Sequence, residues 1–219
     1  MVKTRVKICG ITNWADAQRA CEAGANFLGF NFYRESPRYI SPARASKIVN
    51  RLPDGVAAVG VFVNEAGDAV IETARRLKLD FVQLHGEESP ELVAQVAQYV
   101  PVIKAIRVRR PFRTSQLEQF KSASAFLLDG FDKRARGGTG KTFDWSVARR
   151  VRRGRTIFLA GGLTPENAAQ ASKSVRPYAL DVCSGVEAKP GKKDGARIVA
   201  FMRAVGNGNM SRRIKMRTR

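Results

Sequence analysis

The chain has 219 residues, of which 44% are hydrophobic, enough to fill one sizeable core. No run approaches the ~20 apolar residues that cross a bilayer, and the N-terminus lacks the apolar stretch of a signal peptide. We therefore expect a cytoplasmic protein without a membrane partner. Three cysteines without CxxC spacing and a single histidine argue against a disulfide framework and against a metal site.

The net charge is strongly positive, with 39 Lys and Arg against 19 Asp and Glu, or +20. Arginine clusters lie within residues 107–113 and 149–155, and the last nine residues are basic as well. Such a surface attracts anions, but the clusters lack the series of aromatic residues on which bases stack. We interpret the charge as a basic solvated surface and expect no specific nucleic-acid partner. A protein that binds nucleic acid or an anionic surface remains the alternative from another functional class.

Short apolar runs alternate with segments of helical composition along the chain. The predicted strands are residues 5–9, 27–32, 56–63, 81–84, 101–106, 125–128, 156–160 and 178–182. The predicted helices are residues 13–23, 42–51, 65–77, 90–98, 114–120, 143–151, 165–172 and 194–205. Eight units of about 27 residues predict an α/β fold, a single (β/α)8 TIM barrel with a closed, parallel, eight-stranded sheet. An open doubly wound sheet is the alternative.

Prolines mark the first turns of three predicted helices, at Pro42, Pro90 and Pro165. The residues before them, which are suited to N-caps, are Ser41, Ser89 and Thr164. No linker divides the chain, so we predict one domain over residues 1–205. Residues 206–219 begin with GNGN and are predicted to form a basic, disordered tail.

A glycine-rich loop follows the sixth predicted strand. Residues 126–145, FLLDGFDKRARGGTGKTFDW, place Asp129 at the end of the strand and GGTGKT beyond it. A P-loop requires glycine at the position of Ala135. We therefore interpret the segment as a mobile loop beside Asp129 and not as a nucleotide-binding loop.

In such a barrel the functional residues collect at the C-terminal ends of the strands. The residues at these ends are Cys9, residues 33–38, Asn64, His85, Arg107, Asp129, Gly161, Gly162 and residues 183–185. The turns at 161–162 and 184–185 can present backbone N–H groups to a phosphate. As the alternative, Gly161 and Gly162 simply form a tight turn.

Cys9 and Asp129 are the candidate acid–base pair. A cysteine base must be a thiolate, and a positive neighbour such as Lys7 would lower its pKa from about 8.5. An aspartic acid must hold a proton, which burial or nearby negative charge favours. Taken singly, Cys9 also fits an apolar filler, and Asp129 a helix cap or structural ion pair. Cys21 is assigned to the core, while His85 fits either a loop-stabilising or a ligand-binding role.

Seven segments form a collinear pattern over almost the whole domain. They are VKICGIT (6–12), LGFNFYRESPRYIS (28–41), VGVFVN (59–64), VQLHGEE (82–88), LLDGFDKRARGGTGKTFDW (127–145), LAGGLTPENA (159–168) and DVCSGVEAKPGKKD (181–194). Together they resemble phosphoribosylanthranilate isomerase of tryptophan biosynthesis. The resemblance implies a cofactor-free Amadori rearrangement of N-(5-phosphoribosyl)anthranilate, an aminoaldose, to 1-(2-carboxyphenylamino)-1-deoxyribulose 5-phosphate, an aminoketose.

The resemblance also implies a role for each site residue. Asp129 would protonate the furanose ring oxygen, and Cys9 as thiolate would remove the C2′ proton. Arg38 would bind the anthranilate carboxylate, and Asp181 would face the sugar hydroxyls. The residues that would hold the phosphate are Gly161, Gly162, Ser184 and Gly185. The partner is then a small phosphosugar–anthranilate substrate, with no metal, bound by a monomer or homodimer.

Two features depart from the family pattern. Cys183 stands where the family usually has serine or asparagine, while the basic charge has no counterpart. Because strands one and eight are neighbours in a closed barrel, Cys9 and Cys183 are expected near disulfide distance, which predicts oxidation-sensitive activity. The alternative substrate is the histidine-pathway aminoaldose, which carries phosphates at both ends. Related enzymes use two aspartates for it, so Cys9 and Arg38 argue against this alternative.

Overall fold

A computed structural model describes residues 4–108, 111–130 and 145–206, and its main feature is a closed barrel. The barrel strands are β1 (Arg5–Cys9), β2 (Phe27–Asn31), β3 (Ala57–Phe62), β4 (Phe81–Leu84), β5 (Val102–Arg107), β6 (Ala125–Asp129), β7 (Ile157–Ala160) and β8 (Ala179–Val182). Each strand pairs in parallel with its neighbours in sequence, and β8 pairs with β1 from Arg5↔Ala179 to Ile8↔Val182. The TIM-barrel prediction is confirmed, because an open doubly wound sheet would leave β1 and β8 unpaired.

Helices follow the strands on the outside of the barrel. In the described ranges they are α1 (Trp14–Glu22), α2 (Pro42–Val49), α3 (Gly67–Leu77), α4 (Pro90–Ala97), α5 (Ser115–Glu118), α6 (Trp145–Val151), α7 (Pro165–Val175) and α8 (Gly195–Ala204). The predicted helix at 114–120 is a single turn, and the one at 165–172 continues to Val175. Within these ranges, no helix combines the length and the apolar character that crossing a membrane requires.

The strands are apolar on both faces because both faces are covered. One set of side chains packs between the strands and the helices, and a second set fills the N-terminal half of the barrel interior. Phe27 and Phe158 meet there edge to face, with ring centroids 5.3 Å apart. This packed layer closes the N-terminal end of the barrel. The open space lies towards the C-terminal ends of the strands.

The predicted helix caps are present. The hydroxyls of Ser41 and Ser89 each accept a backbone hydrogen bond in the first turn of α2 and α4, where a proline follows. At α7, the backbone N–H of Thr164 donates to Oδ1 of Asn167. These caps satisfy amide groups that the helix itself cannot.

A short segment after β8 was not predicted. A 3-10 turn (Ser184–Val186) leads into an antiparallel pair of strands, β9 (Glu187–Lys189) and β10 (Lys192–Lys193). Two predictions concern the loop after β6 and the basic tail. Apart from Gly130 and Gly206, the residues of these two segments lie outside the described residues. The boundary between domain and tail therefore stays a prediction.

One buried ion pair joins β5 to the segment that follows β4. The ammonium of Lys104 lies 2.7 Å from a carboxylate oxygen of Glu88 and also donates to the carbonyl of Gly86, with both side chains almost fully buried. Burial opposes the charge of Glu88, but the Lys104 ammonium and backbone N–H donors hold the pKa of this carboxyl below its ordinary value. The pair therefore contributes to stability only while Glu88 is ionised.

Replacing Glu88 with alanine should lower the free energy of unfolding by about 3–5 kcal/mol at pH 7, because an uncompensated ammonium is left buried. Since the folded-state pKa of Glu88 lies below 4.5, the loss should keep its full size above pH 4.5 and shrink as the pH falls through the folded value. Urea denaturation of wild type, Glu88→Ala and the exposed control Glu87→Ala measures it. Equal losses in the two variants would contradict the prediction.

Candidate active site

A cavity of about 490 Å³ opens at the C-terminal ends of the barrel strands. The predicted site residues that line it are Cys9, Arg38, Asp129, Gly161, Gly162, Asp181 and Ser184. Gly185, the remaining predicted residue, is buried behind the turn, where a Cβ would lie 2.0 Å from the carbonyl oxygen of Leu163. Seven of the eight predicted site residues therefore line one cavity. The eighth, Gly185, lets two loops pack closely.

Strand alternation decides which side chains face this cavity. Successive residues of a strand point to opposite faces, so Lys7 and Cys9 of β1 both face inward. Lys7 pairs with Asp181 across β1 and β8, and Cys183 lies two residues beyond Asp181. Lys7 and Asp181 therefore lie side by side in one layer of the barrel interior. Cys9 and Cys183 lie side by side in the next layer, towards the C-terminal ends of the strands.

Lys7 and Asp181 form an ion pair inside the barrel. The Lys7 Nζ to Asp181 Oδ1 distance is 2.9 Å, and neither side chain has appreciable contact with solvent. Burial opposes the ammonium charge, but the negative charges of Asp181 and Cys9 hold the pKa of Lys7 above its ordinary value. Burial and Cys9 raise the pKa of Asp181 to about 6, against the effect of Lys7. Both groups are charged at neutral pH.

The surroundings of Cys9 favour its thiolate form. The largest effect on the pKa of this thiol is a hydrogen bond from Cys183, which lowers it; burial opposes, while the charges of Lys7 and Lys193 lower it further. The net pKa lies well below the ordinary value. A thiolate is the form of cysteine that can accept a proton, so Cys9 is suited to act as a base.

Gly29 of β2 provides the space for the thiolate. A Cβ at this position would lie 2.8 Å from Cys9 Sγ and 3.2 Å from Lys7 Nζ. The register pairs Gly29 with Cys9 across β1 and β2. Any larger residue would displace either the sulfur or its counterion.

Arg38 and Glu187 form the rim of the cavity. The Nε and Nη2 groups of Arg38 both donate to the carboxylate of Glu187, at 2.9 and 2.7 Å. This carboxylate also accepts from Lys193 Nζ at 3.0 Å. Burial opposes its charge, but the two cations keep the pKa of Glu187 below its ordinary value. The arginine side chain is 23% exposed, so donors on its open edge remain available to a ligand.

The hairpin of β9 and β10 is anchored to the first helix. The backbone N–H of Lys193 donates to Asp16 at 2.8 Å, and the hydroxyl of Thr12 donates to the carbonyl of Gly191 at 2.6 Å. These two bonds connect the end of the domain with its beginning. They fix the side chain of Lys193 beneath the cavity rim, next to Glu187.

Cys9 and five other groups form a charged cluster at the mouth of the barrel. Its cations are Lys7, Arg38 and Lys193, and its possible anions are Asp181, Glu187 and Cys9. Three positive charges meet two carboxylates, so a neutral Cys9 would leave one positive charge in excess inside the barrel. Ionisation of Cys9 balances this charge cluster, because buried charge is stable only when it is compensated.

Asp129 faces the cavity from the end of β6. Its Oδ2 lies 3.4 Å from Nε2 of His85, and Nδ1 of the same ring lies 2.7 Å from the amide nitrogen of Gln83. Gln83 is almost fully buried, and its Oε1 has no hydrogen-bond partner among the described residues. The carboxyl group of Asp129 thus lies beside the imidazole ring of His85.

The first glycine turn lies directly beside Asp129. Gly161 and Gly162 have φ angles of +87° and +65°, which favour glycine. A Cβ on Gly161 would lie 2.8 Å from Asp129 Oδ1 and 2.5 Å from the nitrogen of Gly130. Among the described residues, the amide groups of Gly162 and Ser184 donate to no backbone carbonyl outside regular elements. The turn is therefore tight, as in the alternative interpretation.

Comparisons with known proteins agree with this geometry. The family model for N-(5′-phosphoribosyl)anthranilate (PRA) isomerase matches residues 6–204. The chain belongs to this isomerase family. An N-(5′-phosphoribosyl)anthranilate isomerase of Trichlorobacter lovleyi is 50% identical over 200 residues, covering 91% of this chain and 96% of that one.

Solved structures of the isomerase family share the fold. The phosphoribosyl anthranilate isomerase of Thermotoga maritima is 46% identical, with a TM-score of 0.86 over 93% of this chain and 98% of that one. A second structure is 44% identical with a TM-score of 0.83, over 93% and 98% of the two chains. It is a complex with reduced 1-(o-carboxyphenylamino)-1-deoxyribulose 5-phosphate.

Some residues of this isomerase site were not predicted from the sequence. Gln83 could have been found, because it lies two residues before His85 on the same strand face. Glu187 and Lys193 carried no periodic signal, since they belong to a short hairpin. Within the described residues, no group of three or more His, Cys, Asp or Glu side chains is arranged to hold a metal ion. Cys9, Cys21 and Cys183 are free thiols, so the disulfide stays a prediction.

The two glycines of the turn should respond differently to alanine. Gly162→Ala should cost about 1 kcal/mol of unfolding free energy, because it adds only the left-handed backbone strain. Gly161→Ala adds a clash with Asp129 and Gly130 and should cost about 2–4 kcal/mol. Urea denaturation of both variants tests the difference. A Gly161→Ala protein as stable as Gly162→Ala would contradict the packing described here.

Proposed function

We propose that Cys9 is the general base and Asp129 the general acid of the isomerase reaction in this chain. The protein is a phosphoribosylanthranilate isomerase (EC 5.3.1.24). It converts N-(5′-phosphoribosyl)anthranilate into 1-(2-carboxyphenylamino)-1-deoxyribulose 5-phosphate in tryptophan biosynthesis. The observation that carries the assignment of roles is that the sulfur of Cys9 and the carboxyl group of Asp129 line one cavity.

The reaction begins at Asp129. The protonated carboxyl gives its proton to the furanose ring oxygen, the bond from that oxygen to C1′ breaks, and the nitrogen lone pair forms an iminium ion. We assign His85, whose Nε2 lies 3.4 Å from Asp129 Oδ2, to the support of the carboxylate that remains.

Cys9 carries out the second step. Its thiolate removes the proton from C2′, and the electron pair of that bond forms an enolamine, which neutralises the iminium charge. The enolamine then tautomerises to the ketone. The rearrangement is internal and needs no electron acceptor, which agrees with a cofactor-free reaction.

The rim of the cavity is suited to the anthranilate ring. Arg38 is oriented by Glu187 through two hydrogen bonds and keeps donors on its open edge. A carboxylate binds well to such a planar set of donors. We assign Arg38 to the anthranilate carboxylate and Asp181, whose Oδ1 is engaged by Lys7, to the sugar hydroxyls through its other oxygen.

The glycine turns are suited to the phosphate. Gly162 and Ser184 line the cavity, and Gly161 and Gly185 let the two turns pack closely. Phosphate sites of barrels of this kind commonly lie after strands seven and eight. We therefore assign the phosphate to Gly161, Gly162, Ser184 and Gly185.

Two alternatives fit the site less well. The histidine-pathway substrate carries a second phosphate, whereas among the described residues that line the cavity the one arginine, Arg38, already binds Glu187. Nucleic-acid binding rests on surface charge alone, and we retain it only as a secondary property.

Cys9→Ala and Asp129→Asn should each lower kcat by at least ~100-fold, the usual contribution of a general acid or base. Cys21→Ala is the matched control, because Cys21 is buried on α1 and burial raises the pKa of its thiol to about 12. Steady-state assays with N-(5′-phosphoribosyl)anthranilate measure the change. Near-normal turnover in both active-site variants would show that the roles are assigned wrongly.

The whole assignment can also be tested in cells. A bacterial strain that cannot make tryptophan because it lacks this isomerase step should grow when it carries the wild-type chain. The same strain carrying Cys9→Ala should not grow without added tryptophan. Growth of both strains would refute the base, and growth of neither would count against this chain's role in the cell.

A further inference from the structure

A carboxylate lies directly behind the arginine at the rim of the cavity. Arg38 lines the cavity, while the side chain of Glu187, which binds it, is only 4% exposed. The Nε and Nη2 groups of Arg38 donate to Glu187 at 2.9 and 2.7 Å. Since a guanidinium carries its N–H groups on a rigid plane, Glu187 occupies one edge of it and the cavity faces the other. A ligand group bound by Arg38 is therefore placed near the negative charge of Glu187.

The hairpin of β9 and β10 holds this carboxylate in place. The backbone N–H of Gly191 donates to Glu187 Oε1 at 3.2 Å, and Lys193 Nζ donates to the same oxygen at 3.0 Å. A Cβ on Gly191 would lie 2.9 Å from the carbonyl oxygen of Pro37, so the hairpin packs against the residue before Arg38. The negative charge of Glu187 is thus fixed relative to the guanidinium by bonds from both sides.

The position of this charge affects ligands of different charge unequally. Glu187 lowers the positive potential that Arg38 and Lys193 produce at the rim. The attraction of a ligand group to this potential grows in proportion to its charge, whereas the cost of taking the group out of water grows with the square of its charge. A lowered potential therefore favours a singly charged group over a doubly charged one.

We propose that Glu187 is a specificity-determining residue, which acts through Arg38 and restricts this end of the cavity to singly charged groups such as a carboxylate. The proposal rests on the assignment of Arg38 to the anthranilate carboxylate. It gives Glu187 a role beyond orientation of the guanidinium, since its charge selects against substrates that carry a phosphate where anthranilate carries its carboxylate. Glu187 is thus a positioning residue for Arg38 whose charge and hydrogen bonds both contribute to recognition.

Three inhibitors separate the charge of a ligand from its shape. Each is an N-phenyl-1-amino-1-deoxyribitol 5-phosphate, and the ring carries an ortho carboxylate, an ortho sulfonate or an ortho phosphonate. Sulfonate and phosphonate are both tetrahedral, and the sulfonate carries one charge. At about pH 8.5 the phosphonate carries two, because the second pKa of a phosphate group is about 6. The ratio of these two inhibition constants therefore measures selection by charge, and the wild-type protein should bind the sulfonate compound more tightly.

Two substitutions should move this ratio in opposite directions. Glu187→Gln removes the negative charge and should improve binding of the phosphonate relative to the sulfonate by about tenfold, the effect of one nearby unit charge at a partly exposed site. Lys193→Met removes the cation on the far side of the carboxylate and should shift the ratio against the phosphonate. The control Glu22→Gln changes the net charge equally at an exposed position of α1 and should leave the ratio unchanged. A merely structural disturbance of the rim would shift both buried variants in the same direction.

An unchanged ratio in Glu187→Gln would overturn the proposal, and so would shifts of both buried variants in the same direction. If Glu187→Gln does not fold, Lys193→Met must shift the ratio against the phosphonate for the proposal to stand. The assignment of Arg38 is tested separately by Arg38→Gln, which should weaken the carboxylate compound but not the same compound with an unsubstituted ring. If Arg38→Gln weakened both compounds equally, the proposed carboxylate contact would fail. If that contact held while the ratios of wild type and Glu187→Gln coincided, only the role of Glu187 would fail.

Discussion

The rest of the site depends on the interaction of the buried Lys7 ammonium with its anionic neighbours, Asp181 and Cys9. A positive charge inside a barrel is tolerated only when negative groups compensate it. Asp181 provides one such group at 2.9 Å, and Cys9 provides the other once it has lost its proton. The stability of the barrel interior and the reactivity of the base therefore have the same origin. A neutral residue at position 7 would remove one of the charges that favour ionisation of Cys9.

Barrel closure makes this arrangement possible. Lys7 and Asp181 are 174 residues apart in sequence and become neighbours only because β8 pairs with β1. The two-residue alternation of each strand then places Cys9 above Lys7 and Cys183 above Asp181. The hairpin that carries Glu187 and Lys193 continues from β8, so it adds its charges to the same end of the barrel. The chemistry is thus a consequence of strand pairing and strand alternation.

The sequence predicted the elements and the ends of the strands well because these depend on local patterns. Cys9 and Asp129 could be found since each ends an apolar run, and the capping serines could be found since each precedes a proline. Glu187 and Lys193 could not, because a short polar hairpin has no period to detect. Nor could the bond from Glu187 to Arg38, which joins residues 149 positions apart. Long-range pairing of polar groups is set by the packed fold and leaves no mark in one sequence.

The excess positive charge acts outside the binding contacts. Lys7, Arg38, Lys104 and Lys193 each have an acidic partner within 3.0 Å. The excess must then lie elsewhere, as in the exposed arginines of residues 149–153. Charges on the surface are screened beyond about 8 Å at physiological salt. Within that distance they can raise the local concentration of an anionic substrate and its rate of arrival, while the paired cations of the cavity orient it. This division of roles explains how a chain of charge +20 keeps a balanced cluster at its reactive centre.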